Sequence, residues 1–232
     1  MREVDRLMIE KYRIGLIQMM ENAGRQLAEL TRERFLGGDP RGSSVLVLAG
    51  TGGNGGGGLV AARYLANWGA EVRVALSRQP DALAGVPAEQ AEILRQIRVP
   101  LIGDRDRESL PEQKIILDAV IGYSLKGAPY GRPAELIQWA AERPEPVVSL
   151  DLPSGLDPDR GVRWDLYVKA EATLTLALPK KGLLTKAGRK AAGKIYLADI
   201  GVPPALYQEL DLKVGPIFSR KGRFELSSAQ FS

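Results

Sequence analysis

Three short segments of the chain carry the groups that could do chemistry. They are a glycine-rich stretch and two segments that each begin with an acid: Gly50–Gly58, Asp118–Pro129 and Asp151–Asp157. Dense glycines let a backbone approach a phosphate closely, and a helix that starts beside them offers free N–H groups. The glycine stretch therefore predicts a site for a nucleotide or another phosphorylated ligand.

The spacing of these glycines argues against two common nucleotide-binding motifs. No G-K-[ST] follows the stretch, so it is not a Walker loop. The G-x-G-x-x-G pattern is present, but the next predicted strand ends at Leu76-Ser77-Arg78, without the acid that would hold a ribose. An NAD-dependent oxidoreductase is therefore disfavoured, and a flexible strand–helix turn is the plain alternative to a ligand site.

Acid–base chemistry in this chain has few candidate groups. There is no histidine and no cysteine, so proton transfer must use Asp, Glu, Lys, Tyr or water. Asp151 ends a predicted strand beside the tight turn Pro153-Ser154-Gly155, where a carboxylate could act as a general base or could bind a ribose. Lys180 follows another predicted strand and could reach the same crevice, although most lysines are simply solvated.

Oxygen-bearing side chains in the three segments predict a cation site. Asn54, Asp118 and Ser154 supply neutral and anionic oxygens, which suit a hard cation better than a transition metal. These residue types do not distinguish between potassium, sodium and magnesium. Taken alone, Asp118 is equally well explained as a helix N-cap or a turn former.

The order of apolar segments predicts the scaffold that positions these groups. Residues 2–35 read as helix interrupted near Gly15, and strands then alternate with helices, the first of which is expected at Leu59–Trp68. The predicted strands are Val45–Ala49, Glu71–Leu76, Lys114–Val120, Pro146–Asp151, Ala172–Leu178 and Lys194–Ile200. Such alternation predicts a mostly parallel sheet covered by helices on both faces, with ligands bound beyond the carboxyl ends of its strands.

The composition limits the classes of protein to which this chain can belong. At 232 residues with 44% hydrophobic content, one α/β domain is expected, built from a helical segment (2–35), a core (44–220) and a loosely attached tail (221–232). No apolar run is long enough to span a bilayer and the N-terminus is charged, so we expect a cytoplasmic protein without membrane association. A net charge of +4 is too small to indicate nucleic acid.

Five motifs, in order, resemble the YjeF N-terminal domain family, the NAD(P)H-hydrate epimerases. They are Met20–Gly24 (M-E-N-A-G), Gly50–Arg63, Asp118–Gly122 (D-A-V-I-G), Ser149–Gly155 (S-L-D-L-P-S-G) and Thr173–Leu183 (T-L-T-L-A-L-P-K-K-G-L). The resemblance covers nearly the whole chain. It implies a Rossmann-like three-layer α/β/α sandwich and interconversion of the R and S forms of hydrated NADH and NADPH.

The same resemblance implies a set of site residues. One potassium ion per subunit would be held by Asn54, Asp118 and Ser154, and Asp151 and Lys180 would be catalytic. The implied substrate-binding residues are Gly53, Asn54, Gly55, Gly56, Gly57, Gly122, Tyr123, Ser124, Leu125, Lys126, Gly127, Ala128 and Asp151. The implied partners are the small-molecule substrate and, functionally, a separate NAD(P)H-hydrate dehydratase.

Two departures from the family pattern keep an alternative open. Gly53 and Gly57 stand where the family has an asparagine and an aspartate, and Tyr123 and Lys126 enter a loop that usually reads F-G-T-G. A catalytically silent nucleotide-binding or protein-interaction module of the same fold would tolerate such changes. The sequence does not give the oligomeric state, but the two methionines Met19 and Met20 of the long N-terminal helix could pack in a homodimer.

Overall fold

Short apolar runs of the chain form the strands of a single sheet. The computed structural model describes residues 1–104, 113–162 and 164–226. The strands are β1 (Ser44–Ala49), β2 (Glu71–Leu76), β3 (Leu101–Ile102), β4 (Ile115–Ala119), β5 (Val147–Leu150), β6 (Ala172–Leu176), β7 (Lys194–Ala198) and β8 (Arg223–Glu225). β1 and β4 are buried almost throughout, as expected of strands covered on both faces.

The strand order places a crevice at the middle of the sheet. The order is β3-β2-β1-β4-β5-β6-β7-β8, and all neighbours are parallel except the β7–β8 pair. The chain runs from β1 to β2 on one side of the sheet centre and from β4 to β5 on the other side. The carboxyl ends of β1 and β4 therefore flank the position where ligands bind in such folds. The predicted mostly parallel α/β sheet is confirmed.

Helices cover both faces of the sheet and complete three layers. The helices are α1 (Arg2–Glu10), α2 (Leu16–Phe35), α3 (Gly53–Asn67), α4 (Gly85–Gln96), α5 (Gly131–Ala141), α6 (Lys181–Leu184), α7 (Lys186–Ala192) and α8 (Pro204–Glu209). Apolar residues of α2, α3 and α4 share one buried cluster with one face of the sheet. Those of α5, α6 and α7 pack on the opposite face.

Two sequence expectations about element boundaries are wrong. The helix expected at Leu59–Trp68 begins at Gly53, so most of the glycine stretch is the first turns of a helix and not a loop. Part of the expected loose tail is ordered, since Arg223–Glu225 pair antiparallel with β7. The remaining residues expected in that tail, 227–232, lie outside the described part of the chain.

Close backbone packing explains most of the glycines in α3. A Cβ at Gly55 would lie 1.9 Å from the carbonyl oxygen of Gly50, and one at Gly58 would lie 2.5 Å from Cβ of Ala119. On the other side of the helix, a Cβ at Gly24 of α2 would lie 2.4 Å from the carbonyl oxygen of Gly57. These glycines let α3 lie directly on the sheet and on α2, which fixes the start of α3 beside the strand ends.

The methionines expected at a dimer interface are buried within the chain. Met19 is 5% exposed and Met20 is 4% exposed. Met19 packs with α1 and α8, and a Cβ at Gly56 would lie 2.4 Å from the sulfur of Met20. Both methionine side chains therefore belong to the core of the chain, and packing of the helix in a homodimer stays a prediction. In residues 1–104, 113–162 and 164–226, no helix is both long and apolar enough to span a membrane.

Candidate active site

A cavity of about 430 Å³ opens where the strand order reverses. Its polar wall comes from the start of α3, from the segments after β4 and β5, and from Lys180 before α6. The residues of that wall are Gly50, Thr51, Gly52, Gly53, Asn54, Ser77, Gly122, Tyr123, Ser124, Asp151 and Lys180. The three segments singled out in the sequence therefore converge on one crevice.

Asp151 follows β5 in a backbone conformation that aspartate rarely adopts. Its φ is 66°, in the left-handed region where non-glycine residues are uncommon and tend to mark functional sites. Its backbone N–H donates to the carbonyl of Leu174 at 2.7 Å, which fixes the turn. The side chain, 4% exposed, accepts the backbone N–H groups of Tyr123 and Leu176, each at 3.3 Å.

Lys180 lies against Asp151 and is itself buried. Its ammonium donates to Oδ1 of Asp151, to the carbonyl of Leu176 at 2.9 Å and to the hydroxyl of Thr175 at 3.3 Å. Both charged side chains are 4% exposed, so each offsets the desolvation of the other. The cavity therefore contains a fixed carboxylate with an ammonium group at its side.

Asp118 and Ser154 lie beneath the cavity and not in its wall. The Asp118 carboxylate accepts the hydroxyls of Ser149 at 2.8 Å and Ser154 at 2.5 Å. It also accepts the backbone N–H of Ser154 at 2.8 Å and that of Val120 at 3.3 Å. Burial raises the pKa of Asp118, and the hydrogen bonds from Ser154, Ser149 and Val120 oppose that rise.

The side-chain oxygens at and around Asp118 are suitable ligands for a monovalent cation. A positive charge nearby would offset the burial of this carboxylate. Asn54 lines the cavity and adds an amide oxygen, which is a ligand that hard cations accept. In the part of the chain that the structure describes, no cluster of three His, Cys, Asp or Glu side chains could hold a metal ion.

Only some of the predicted substrate-binding residues line the cavity. Gly53, Asn54, Gly122, Tyr123, Ser124 and Asp151 line it. The others do not: Gly55, Gly56, Gly57, Leu125, Lys126, Gly127 and Ala128. The three glycines are buried in helix packing, and the last three residues of the loop are exposed to solvent.

Sequence reasoning missed the contribution of α1 to this cavity. Met1 and Asp5 line it, and the hydroxyl of Tyr123 donates to Oδ2 of Asp5. Burial raises the pKa of Asp5, and burial together with the Asp5 hydrogen bond raises the pKa of Tyr123. The only sequence signal was an acid beside the apolar face of α1, and that signal is too common to indicate a site.

Comparison with known proteins assigns the chain to a family. The family model described as YjeF-related protein N-terminus matches residues 16–182. The chain belongs to this family. The match contains α2 through β6, and therefore nearly all of the cavity wall apart from the residues of α1.

Relatives of this YjeF-related chain carry consistent names. A protein of Dehalogenimonas lykanthroporepellens named NAD(P)H-hydrate epimerase is 49% identical over 92% of this chain and 84% of its own length. One of the same name from Rhodopirellula baltica is 34% identical over 91% of this chain and 86% of its own. A Moorella thermoacetica protein named bifunctional NAD(P)H-hydrate repair enzyme Nnr is 37% identical over 89% of this chain, which spans only 40% of that protein.

A solved structure supports the fold independently. The crystal structure of the yeast protein ynu0 (YNL200c) has a TM-score of 0.82 with this chain and covers 97% of it, while this chain covers 96% of the yeast protein. The sequence identity is 24%. At this identity the likeness shows the fold alone.

Proposed function

We propose that this chain interconverts the R and S forms of hydrated NADH and hydrated NADPH at C6 of the nicotinamide ring. The observation that supports this best is the buried pair of Asp151 and Lys180 in the wall of the cavity. The names of the full-length relatives agree with it. The proposal makes the chain an isomerase that returns damaged cofactor to a form that a stereospecific dehydratase can use.

The proposed chemistry needs proton transfer at the hydroxyl carried by C6. Epimerisation proceeds either by reversible ring opening or by loss of the hydroxyl, followed by re-addition on the other face of C6. In either route a proton leaves or reaches the hydroxyl oxygen, and Asp151 is the carboxylate proposed for this transfer. The ammonium of Lys180 stabilises negative charge on Asp151 between transfers.

The start of α3 is the proposed anchor for the phosphates of the substrate. Gly52 and Gly53 line the cavity at the N-terminus of a 15-residue helix, where free N–H groups and the helix dipole favour an anion. Among the described residues, apart from the chain neighbours of Gly52, no atom lies within 4 Å of a Cβ built on it, so this face of the helix start is open. Asn54, in the next position, could donate its amide, which has no hydrogen-bond partner among the described residues, to the same ligand.

Potassium is proposed as the bound cation. Asn54, Asp118 and Ser154 would hold it, as the resemblance implies, together with backbone carbonyls nearby. When bound, it would supply a positive charge that stabilises the buried Asp118 carboxylate and the anionic substrate. A cytoplasmic location, a homodimer and a functional partnership with a dehydratase stay predictions.

One chromatographic experiment tests the activity. A single epimer of hydrated NADH is incubated with the purified chain in potassium buffer and in tetramethylammonium buffer. We expect the other epimer to form faster than it does without protein, and faster with potassium. Absence of acceleration, with a thermal shift still induced by the ligand, would contradict the epimerase and favour the silent binding module.

A further inference from the structure

Helix α1 precedes the residues that the family model matches, but one of its acidic side chains lines the cavity. Val4, Leu7 and Met8 are buried and pack with residues of α2 and α8. That packing fixes the helix, so its one cavity-lining acid, Asp5, has a defined position. Nothing in the proposed proton transfer requires this residue.

Three consecutive contacts lead from α1 to the ion pair. The carboxylate of Asp5 accepts the hydroxyl of Tyr123. The backbone N–H of the same tyrosine donates to Oδ2 of Asp151 at 3.3 Å. The other oxygen of Asp151 accepts the ammonium of Lys180. Tyr123 therefore connects α1 to Asp151 through its side chain and its backbone.

The residues that follow Tyr123 have few other restraints, whereas Ile121 before it donates its N–H to the hydroxyl of Ser154 at 2.8 Å. Ser124 and residues 126–128 are exposed, and the N–H of Leu125 bonds the carbonyl of Gly122 at a long 3.4 Å. Tyr123 itself is only partly buried and packs against a small apolar cluster. Its hydroxyl bond to α1 is therefore a main restraint on the residue whose N–H reaches Asp151.

We propose that Asp5 is a positioning residue of the epimerase site. By accepting the hydroxyl of Tyr123, it holds the loop that follows β4 so that the N–H of Tyr123 stays directed at Asp151. This inference rests on the proposed function, because its effect on rate requires that Asp151 transfers the proton. It adds a contribution from α1 to a site otherwise built by the strand ends and α3.

The electrostatics of the contact between Asp5 and Tyr123 favour a persistent hydrogen bond. The pKa of Tyr123 is raised by burial and by Asp5, so the phenol keeps its proton and stays a donor. A phenol hydroxyl bound to a carboxylate makes a charge-assisted hydrogen bond, which is stronger than a neutral one. The charged groups facing Asp5 are Lys180, Asp151 and the amino terminus.

The test measures epimerisation by the full chain with Asp5→Leu, Tyr123→Phe and both changes together. We expect each single change to lower kcat about tenfold, as for the loss of one hydrogen bond to a charged group, with KM nearly unchanged. The double variant should be no slower than the slower single variant, because both changes break the same contact. Asp5→Asn should recover most of the loss, since its amide oxygen still accepts the hydroxyl.

A matched control lies at the end of the same helix. Tyr12 donates its hydroxyl to Glu209 at 2.6 Å, away from the cavity, so Tyr12→Phe removes the same type of bond from the α1 region. We expect its kcat to equal that of the wild type. An equal loss in Tyr12→Phe, multiplicative losses in the double variant, or an Asp5→Asn variant as slow as Asp5→Leu would overturn the positioning role.

A second readout does not depend on catalysis. Hydrogen exchange at the amides of residues 123–126 should become faster in Tyr123→Phe and Asp5→Leu but not in Tyr12→Phe. Unchanged exchange would overturn the inference even if rates fell. A wild-type chain without epimerase activity would contradict the proposed function alone, and the exchange data would then decide whether Asp5 restrains the loop.

Discussion

Lys180 and Asp151 form an ion pair with both side chains 4% exposed. Two further oxygens, on Leu176 and Thr175, accept hydrogen bonds from the same ammonium. A buried pair of this kind contributes little net stability, but removal of one partner leaves the other charge buried and uncompensated. The pair therefore links the stability of the fold to the groups proposed for catalysis.

Lys180→Met is expected to lower the free energy of unfolding by about 3 kcal/mol. The cause is the carboxylate of Asp151, which stays buried without its ammonium. Urea denaturation measures the change, and Lys181→Met, at the exposed neighbouring position, is the matched control. Adding Asp151→Asn to Lys180→Met should recover most of the loss, because asparagine carries no charge and tolerates the left-handed backbone; a double variant less stable than the single one would contradict this account.

Asp151→Asn is expected to lower turnover at least about 100-fold, the range typical of a lost general acid or base. Asparagine tolerates the left-handed backbone of this position, so the turn should persist. Ligand-induced thermal shift should show that binding is largely retained. Asp159→Asn changes an exposed acid in the next turn and should leave turnover unchanged. Normal turnover in Asp151→Asn would exclude the proposed proton transfer.

The sheet could be predicted from sequence because its strands are nearly continuous apolar runs. Val45–Ala49 and Glu71–Leu76 were placed within one residue of the observed strands. The sequence predicts a loop for the glycine stretch because glycine disfavours helices by about 1 kcal/mol per residue. Here tertiary packing overrides that preference, since α3 can lie on the sheet only without side chains at Gly55 and Gly58.

The site was predictable only where its residues follow strands. Asp118 and Asp151 stand at strand ends, where the fold class itself implies convergence. Asp5 is distant in sequence from both, and the packing of α1 against α2 and α8 brings it to Tyr123. β8 was missed for a related reason, because three residues in a polar segment give too short a pattern to indicate a strand.

Gly55→Ala is expected to destabilise the chain by more than about 2 kcal/mol, in the range for overpacking of a tight interior. The added methyl would lie 1.9 Å from the carbonyl oxygen of Gly50, which is backbone and cannot rotate away. Gly52→Ala is the control, because among the described residues, apart from its chain neighbours, no atom lies within 4 Å of its Cβ position. Thermal unfolding compares the two variants. Equal stability would mean that α3 does not need a close approach to the sheet.

The raised pKa of Asp5 predicts a pH-dependent stability with a defined sign. Burial raises this pKa above its ordinary value of 3.8, so the folded chain keeps the Asp5 proton to a higher pH than the unfolded chain does. The resulting stabilisation is complete below about pH 3.8 and is lost as the pH rises through the folded pKa. The stability of the wild type relative to Asp5→Asn should therefore fall with increasing pH.

In Tyr123→Phe, the stabilisation contributed by the protonated Asp5 should be lost only at a higher pH. The hydroxyl of Tyr123 lowers the pKa of Asp5 and so opposes the effect of burial; without it, the folded chain should keep the Asp5 proton longer. Urea midpoints of Asp5→Asn, Tyr123→Phe and the wild type between about pH 4 and about pH 7 measure both effects. A wild-type advantage over Asp5→Asn that grew with pH would show instead that the fold favours the ionised carboxylate of Asp5.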